Sequence, residues 1–273
     1  MPLDICSGPD GNLWYTARPA RVVRMTTAGV RTEFAGLTAD PGSICVGPDG
    51  NIWFTEPGSR IGRLTPSGSL AEFTLPSQTN PSIGVGICAG PDGAVWFGAS
   101  NALGRVTTGG QFSFFPYTGA TVFANALCKG PDNNLWASNW NASSISRMTT
   151  GGTATIFPVS SPGNLGGICN GPDGNLWFTD SSNNTAKVSR ITTSGVITAF
   201  PVTASPGVSG ICLGPDSNLW FGSGSGVGRV TTTGASTLFQ AGISGGVLNL
   251  CRGSDNRIWF TESSTNKIGA ITP

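Results

Sequence analysis

The chain of 273 residues contains no histidine. That absence removes the usual proton carrier near neutral pH, the commonest metal ligand, and any Ser-His-Asp or Cys-His nucleophile arrangement. Charge is scarce as well. Only 11% of residues are charged, Lys and Arg number 15 against 14 Asp and Glu, and the basic residues are scattered singly. Such a chain offers no electrostatic footprint for nucleic acid or for an anionic membrane. No Cys-x-x-Cys and no Gly-x-x-x-x-Gly-Lys stretch occurs, so a dithiol centre and a phosphate-cradling loop are also excluded. No segment has the apolar period of an amphipathic helix or the length of a membrane span, and Met1-Pro2 runs straight into the first strand, so no signal peptide is expected. None of this specifies a compartment.

What is present is a repeat. ICSGPDGNLWYT begins at Ile5, ICVGPDGNIWFT at Ile44, ICAGPDGAVWFG at Ile87, LCKGPDNNLWAS at Leu127, ICNGPDGNLWFT at Ile168, ICLGPDSNLWFG at Ile211 and LCRGSDNRIWFT at Leu250. From one cysteine to the next the steps are 39, 43, 40, 41, 43 and 39 residues. A period near 40 residues marks a repeat architecture. Within each copy an apolar residue and Cys end one strand, and Gly-Pro-Asp-Gly reverses the chain. Pro fixes φ there, Asp bonds its own backbone, and Gly accepts positive φ. The aromatic, alternating Asn-Leu-Trp-Phe-Thr then reads as the returning strand. A third run such as RIGRLT at 60–65 and a fourth such as GSLAEF at 68–73 complete the unit. Four antiparallel strands repeated seven times predict an all-β, seven-bladed β-propeller in one domain, 1–273, with blades at 1–36, 37–76, 77–117, 118–159, 160–203, 204–242 and 243–273. The last repeat ends after its third strand, so its blade is expected to have three strands and an unpaired edge at Ile268 to Thr272, fitting a monomer or an edge-paired oligomer.

The repeated residues read as structure. The seven thiols, Cys6, Cys45, Cys88, Cys128, Cys169, Cys212 and Cys251, occupy one position on seven sheets that pack about 10 Å apart, too far for disulfides, and are expected to be buried and free. Trp14, Trp53, Trp96, Trp136, Trp177, Trp220 and Trp259 are expected to pack blade against blade. The third strand carries Arg24, Arg63, Arg105, Arg147, Arg190 and Arg229, expected to tie it to neighbouring turns, whereas the seventh repeat has Ala270.

Loops on one face of the disc vary, including 17–21, 56–59, 138–144 and 180–186 and the crossovers 35–43, 74–86 and 116–125. Function tends to sit on such loops. Trp140, flanked by Asn139 and Asn141, is the one tryptophan outside the register; with Phe123 and Asn125 as neighbours it suits a small molecule, glycan or peptide. Glu56 and Glu262, on blades separated only by blade 1, are a candidate carboxylate pair.

The stretches NIWFTE at 51–56, IGRL at 61–64, NLWFTD at 175–180 and IWFTESSTNKIG at 258–269 resemble the repeat of the virginiamycin B lyase family of seven-bladed propellers, and the resemblance extends over essentially the whole chain. It implies a lyase that opens a cyclic depsipeptide by elimination, using a magnesium ion and histidines two residues before the inner-strand Ile of certain repeats. The matching positions here are Leu3, Gly42, Val85, Asn125, Gly166, Ser209 and Leu248, and none carries a proton. The acidic residue after the Trp strand is kept only at Glu56, Asp180 and Glu262. The expectation is therefore a non-catalytic binding or structural propeller needing no cofactor, with any ligand on the variable-loop face. The alternatives are an engineered repeat protein without an evolved ligand and a residual metal-dependent lyase.

Overall fold

A computed structural model describes residues 1–76, 83–118, 121–160, 163–181, 185–204 and 207–273. Parts of the crossovers 74–86 and 116–125 and of the loop 180–186 lie outside the described residues. Seven antiparallel sheets are formed in chain order, six of four strands and the last of three. The inner strands are Pro2–Ser7, Ile44–Val46, Ile83–Ala89, Ala124–Lys129, Leu165–Asn170, Val208–Leu213 and Val247–Arg252. Within every blade the cysteine pairs with the tryptophan eight residues on, as in Cys6 with Trp14 and Cys251 with Trp259. The only helical segment among the described residues is Ser263–Thr265, so none is long and apolar enough to cross a membrane.

The repeated motif is held by side chains as much as by turn geometry. The turn Asp accepts a hydrogen bond from its tryptophan indole in all seven blades, from 2.9 Å at Trp53 with Asp49 to 3.1 Å at Trp259 with Asp255. It also accepts the backbone N–H two residues on, as Asp10 does from Asn12 at 3.2 Å. The opening Gly of the turn makes room for the ring, since a Cβ on Gly8 would stand 2.2 Å from the Trp14 indole. The fourth turn position has positive φ in every copy, whether Gly11 or, in later blades, Asn133, Ser217 and Asn256. Six tryptophans are fully buried against the next blade. Truncating a side chain of this size in a core removes about 3–5 kcal/mol.

In the first six blades the outer-strand phenylalanine stacks on the tryptophan, as Phe34 does on Trp14 with centroids 5.4 Å apart. In blades 2, 4, 5 and 6 the third-strand arginine lies over both rings, with Arg63 at 5.7 Å from Trp53 and 5.4 Å from Phe73. Arg24, Arg63 and Arg147 then donate to Pro66, Thr108 and Thr193 carbonyls in the next blade's outer turn, at 3.2, 2.8 and 2.9 Å.

Blade 7 solves the same problem differently. Ala270 stands opposite Trp259, and among the described residues no outer-strand phenylalanine covers the ring. Arg257 from the hairpin turn does both jobs. Its guanidinium sits 4.6 Å over Trp259, pairs with Asp255 at 2.7 Å and donates to the Thr27 carbonyl of blade 1 at 2.8 Å. The disc closes without a strand exchange through this contact, through Ser254 donating to Gly11 at 2.6 Å, and through Thr261 donating to Leu3 at 3.0 Å. The seven cysteines are free as expected, but only Cys88 is buried; the other six are half-buried on their inner strands. Desolvation still pushes every thiol up from its ordinary range.

Candidate functional site

On the loop face the inner strands converge on a mouth of about 970 Å³, which lies in the range of small-molecule sites. Leu3, Gly42, Val85, Asn125, Gly166, Ser209 and Leu248 all line it, so the seven matching positions form one ring. The polar members of the ring serve the seams between blades. Ser209 donates to the Val247 carbonyl at 2.6 Å, and Asn125 donates to the Leu165 carbonyl at 2.9 Å. A second-strand hydroxyl also performs this task, as when Thr16 donates to Gly42 at 2.7 Å and, beside Asn125 on the same seam, Ser138 to Gly166 at 2.6 Å. Blade 6 has Gly222 at the hydroxyl position, and the Ser209 hydroxyl occupies the space a Cβ there would need, 2.5 Å away.

Trp140 is 58% exposed and lines the mouth. It also shares a smaller recess of about 340 Å³ with Phe123, Asn125 and Val85. The loop is set by Trp140 N–H donating to the Phe123 carbonyl at 3.1 Å and by Asn141 accepting from Phe123 N–H at 2.9 Å. Asn139, expected beside Trp140 on the loop, is instead the last residue of the strand Leu135–Asn139 and fully buried. Strand alternation turns its side chain inward, where it donates to Ser144 at 3.1 Å.

The three carboxylates kept from the repeat are not solvated loop charges. Glu56, Asp180 and Glu262 end their second strands and are 1%, 1% and 3% exposed, and none lines the mouth. Glu262 Oε2 accepts from Ser244 N–H at 2.8 Å, the Ser244 hydroxyl at 3.0 Å, Gly245 N–H at 2.8 Å and Thr265 at 3.3 Å. Glu56 does not meet Glu262; burial first, and then the neighbouring Glu72 carboxylate of its own blade, pushes it up to about 8. The carboxylate pair expected between blades 2 and 7 is thus not assembled.

One residue of the wall is absent from the sequence reading. Asp4 follows Leu3 on the first inner strand, beside the irregularity between Pro2 and Ile5, and it lines the mouth half-buried. Its two oxygens accept Ile5 N–H at 2.8 Å and Ile44 N–H at 3.0 Å, and its side chain also bonds Ser43. Burial outweighs these hydrogen bonds and pushes the carboxyl up to about 6. The signal for it was available: other copies have Ser43, Gly86, Ala126, Gly167, Gly210 and Asn249 at this position, so Asp4 is the one acid in the row.

The description of the virginiamycin B lyase family matches residues 1–205 and 163–273. The chain belongs to that family. A catalytically inactive histidine-to-alanine variant of virginiamycin B lyase from Staphylococcus aureus, solved with quinupristin, is similar at 30% identity and a TM-score of 0.90, covering 100% of this chain and 94% of that one. A streptogramin B lyase is similar at 28% identity and a TM-score of 0.89, covering 98% and 92%. The extracellular domain of a hybrid two-component system from B. thetaiotaomicron, at 12% identity and a TM-score of 0.76 over 98% of this chain and 39% of that one, shares the fold alone. Among curated sequences none matches significantly. The magnesium ion that membership in the virginiamycin B lyase family implies does not fit the residues present. Glu262 already accepts four hydrogen bonds on Oε2 from its own blade, and among the described residues no three His, Cys, Asp or Glu side chains are grouped to hold an ion.

Proposed function

We propose that this member of the virginiamycin B lyase family binds a cyclic peptide or depsipeptide at the loop-face mouth without cleaving it. The observation carrying this reading is that the matching positions line one intact mouth while being Leu3, Gly42, Val85, Asn125, Gly166, Ser209 and Leu248, residues that cannot carry a proton. Elimination next to an ester carbonyl needs a base and an acid for the leaving group. Recognition needs only shape, apolar surface and a few placed polar groups. Trp140, Phe123, Val85 and Leu248 provide that surface, at 58%, 40%, 42% and 40% exposure. That an inactive histidine variant of the Staphylococcus aureus lyase was solved with quinupristin supports a separation of binding from turnover in this family.

A second reading, residual elimination, is favoured by Asp4, a carboxyl pushed up to about 6 in the mouth wall, within the range of a general base. One experiment separates the two. The protein is mixed with quinupristin, binding is read from Trp140 fluorescence against Trp140→Ala, and the ligand is recovered for mass spectrometry. Quenching that depends on Trp140 with the ring recovered intact is expected. Linearised product that disappears in Asp4→Asn establishes the second reading, and no quenching removes the first.

A further inference from the structure

We infer that Asp4 is the counter-ion for a protonated amine carried by an apolar ligand in the loop-face mouth. The inference rests on the binding reading above and names the chemistry that the ligand must present.

Two features of the wall point this way. Asp4 has no ion-pair partner among the described residues. Of the two other charged side chains lining the mouth, Arg18 is paired with Asp40 at 3.4 Å on the rim, so Asp4 is the unbalanced charge of the cavity. Its amide hydrogen bonds, one to each oxygen, aim the carboxylate and leave further lone pairs on both oxygens. A carboxylate held in a low-dielectric wall attracts a cation far more strongly than one in water does.

The apolar part of the ligand follows from what surrounds the charge. Among the described residues, eight large hydrophobic side chains are exposed, and Val85, Leu248, Phe123 and Trp140, half of them, border this mouth or its adjoining recess. Exposed apolar side chains gathered around a cavity mark a binding surface. An apolar body carrying one ammonium group satisfies both features, whereas an anion meets Asp4 as a like charge.

The titratable groups facing Asp4 do not compete for the role. Cys6, Cys45 and Cys251 of the neighbouring strands have thiols pushed up by burial and are neutral at the relevant pH. Beyond them lie the Arg18–Asp40 pair and the terminal amino group of Met1, which donates to the Arg18 carbonyl at 2.9 Å.

The probe pair is 4-phenylbutylamine and its neutral counterpart 4-phenylbutanol, titrated by calorimetry into the full chain. At pH 7.5 the amine is expected to bind about tenfold more tightly than the alcohol. The preference is expected to collapse in Asp4→Asn, and also in the wild type below about pH 5, where Asp4 is protonated while the amine stays charged. The wild-type pH series keeps the test valid if Asp4→Asn folds poorly. Equal binding of both probes overturns the counter-ion while leaving the apolar site intact. A preference that survives in Asp4→Asn or at low pH overturns it as well, as does failure of both probes to bind, and the quinupristin experiment then decides the broader reading by itself.

Discussion

Replacing Glu56 with Gln tests the buried electrostatics of blade 2 most directly. Glu56 is 1% exposed, and neither of its oxygens accepts a hydrogen bond from a donor group. Its neighbour Glu72 is held ionised by the Thr38 amide at 2.8 Å and by the Thr38 hydroxyl. Glu56 therefore keeps a proton when folded, released only near pH 8, whereas its ordinary value is 4.5. Between those limits the folded state binds a proton that the unfolded chain has lost, so stability is complete below the unfolded value and falls as pH rises through the folded one. The slope is at most about 1.4 kcal/mol per pH unit, with a ceiling on the order of 5 kcal/mol across the window. Asp4, pushed up to about 6, acts the same way over the lower half, and the lowered Glu72 acts in the opposite sense at acid pH. The stretch from about pH 6.5 to 8 isolates Glu56 and carries roughly 2 kcal/mol, or about 4–8 °C in melting temperature. Gln has no proton to lose and is neutral throughout the series, as the protonated carboxyl is below its folded value. Thermal unfolding in steps of pH is expected to show the wild type losing stability through this stretch while Glu56→Gln stays level and is the more stable at pH 8. Parallel curves for the two proteins refute the assignment.

Three further outcomes follow from the packing. Arg257→Ala removes the cover of Trp259 and the hydrogen bond to Thr27, and a loss of about 2–4 kcal/mol in urea unfolding is expected; a loss equal to that of an exposed turn residue contradicts the seam role. Gly62→Ala puts a Cβ 2.1 Å from the Phe54 ring, so a loss of about 1–3 kcal/mol or more is expected in the same assay, and a neutral result shows that the ring can move aside. The seven thiols, pushed up by desolvation although six are only half-buried, are expected to react with a thiol reagent at pH 8 much more slowly than in the unfolded protein; native labelling as fast as in urea contradicts this.

Much of the fold was legible because the residues that build it act on near neighbours in the chain. The turn Asp, four residues from its tryptophan, bonds both the backbone of its own turn and the indole, so the hairpin is written in one short motif. The third-strand arginines were legible as ties to neighbouring turns. Their replacement in blade 7 was not, because Arg257 arrives at Trp259 from the hairpin turn and not from the strand that carries Ala270. At the site, Trp140 and Phe123 are exposed and adjacent in space as the loop reading had them. Asn139 was misplaced by a single residue of strand length, which is enough to turn a side chain from solvent into the core. Glu56 and Glu262 were read as loop charges for the same reason: each stands at the end of a strand, and only the packed seam shows how deeply it is buried.

By itself, then, the sequence determined the number of blades, the shape of each, the missing outer strand of the last and the loss of every histidine, since all of these are local or countable. The tertiary structure decided which polar groups are consumed by the seams and which face the mouth. That division depends on how seven inner strands converge, an arrangement of residues tens of positions apart. It spent Ser209, Asn125 and Glu262 on neighbouring backbone and side-chain donors or acceptors, and it left Asp4 in the wall without a cationic partner among the described residues.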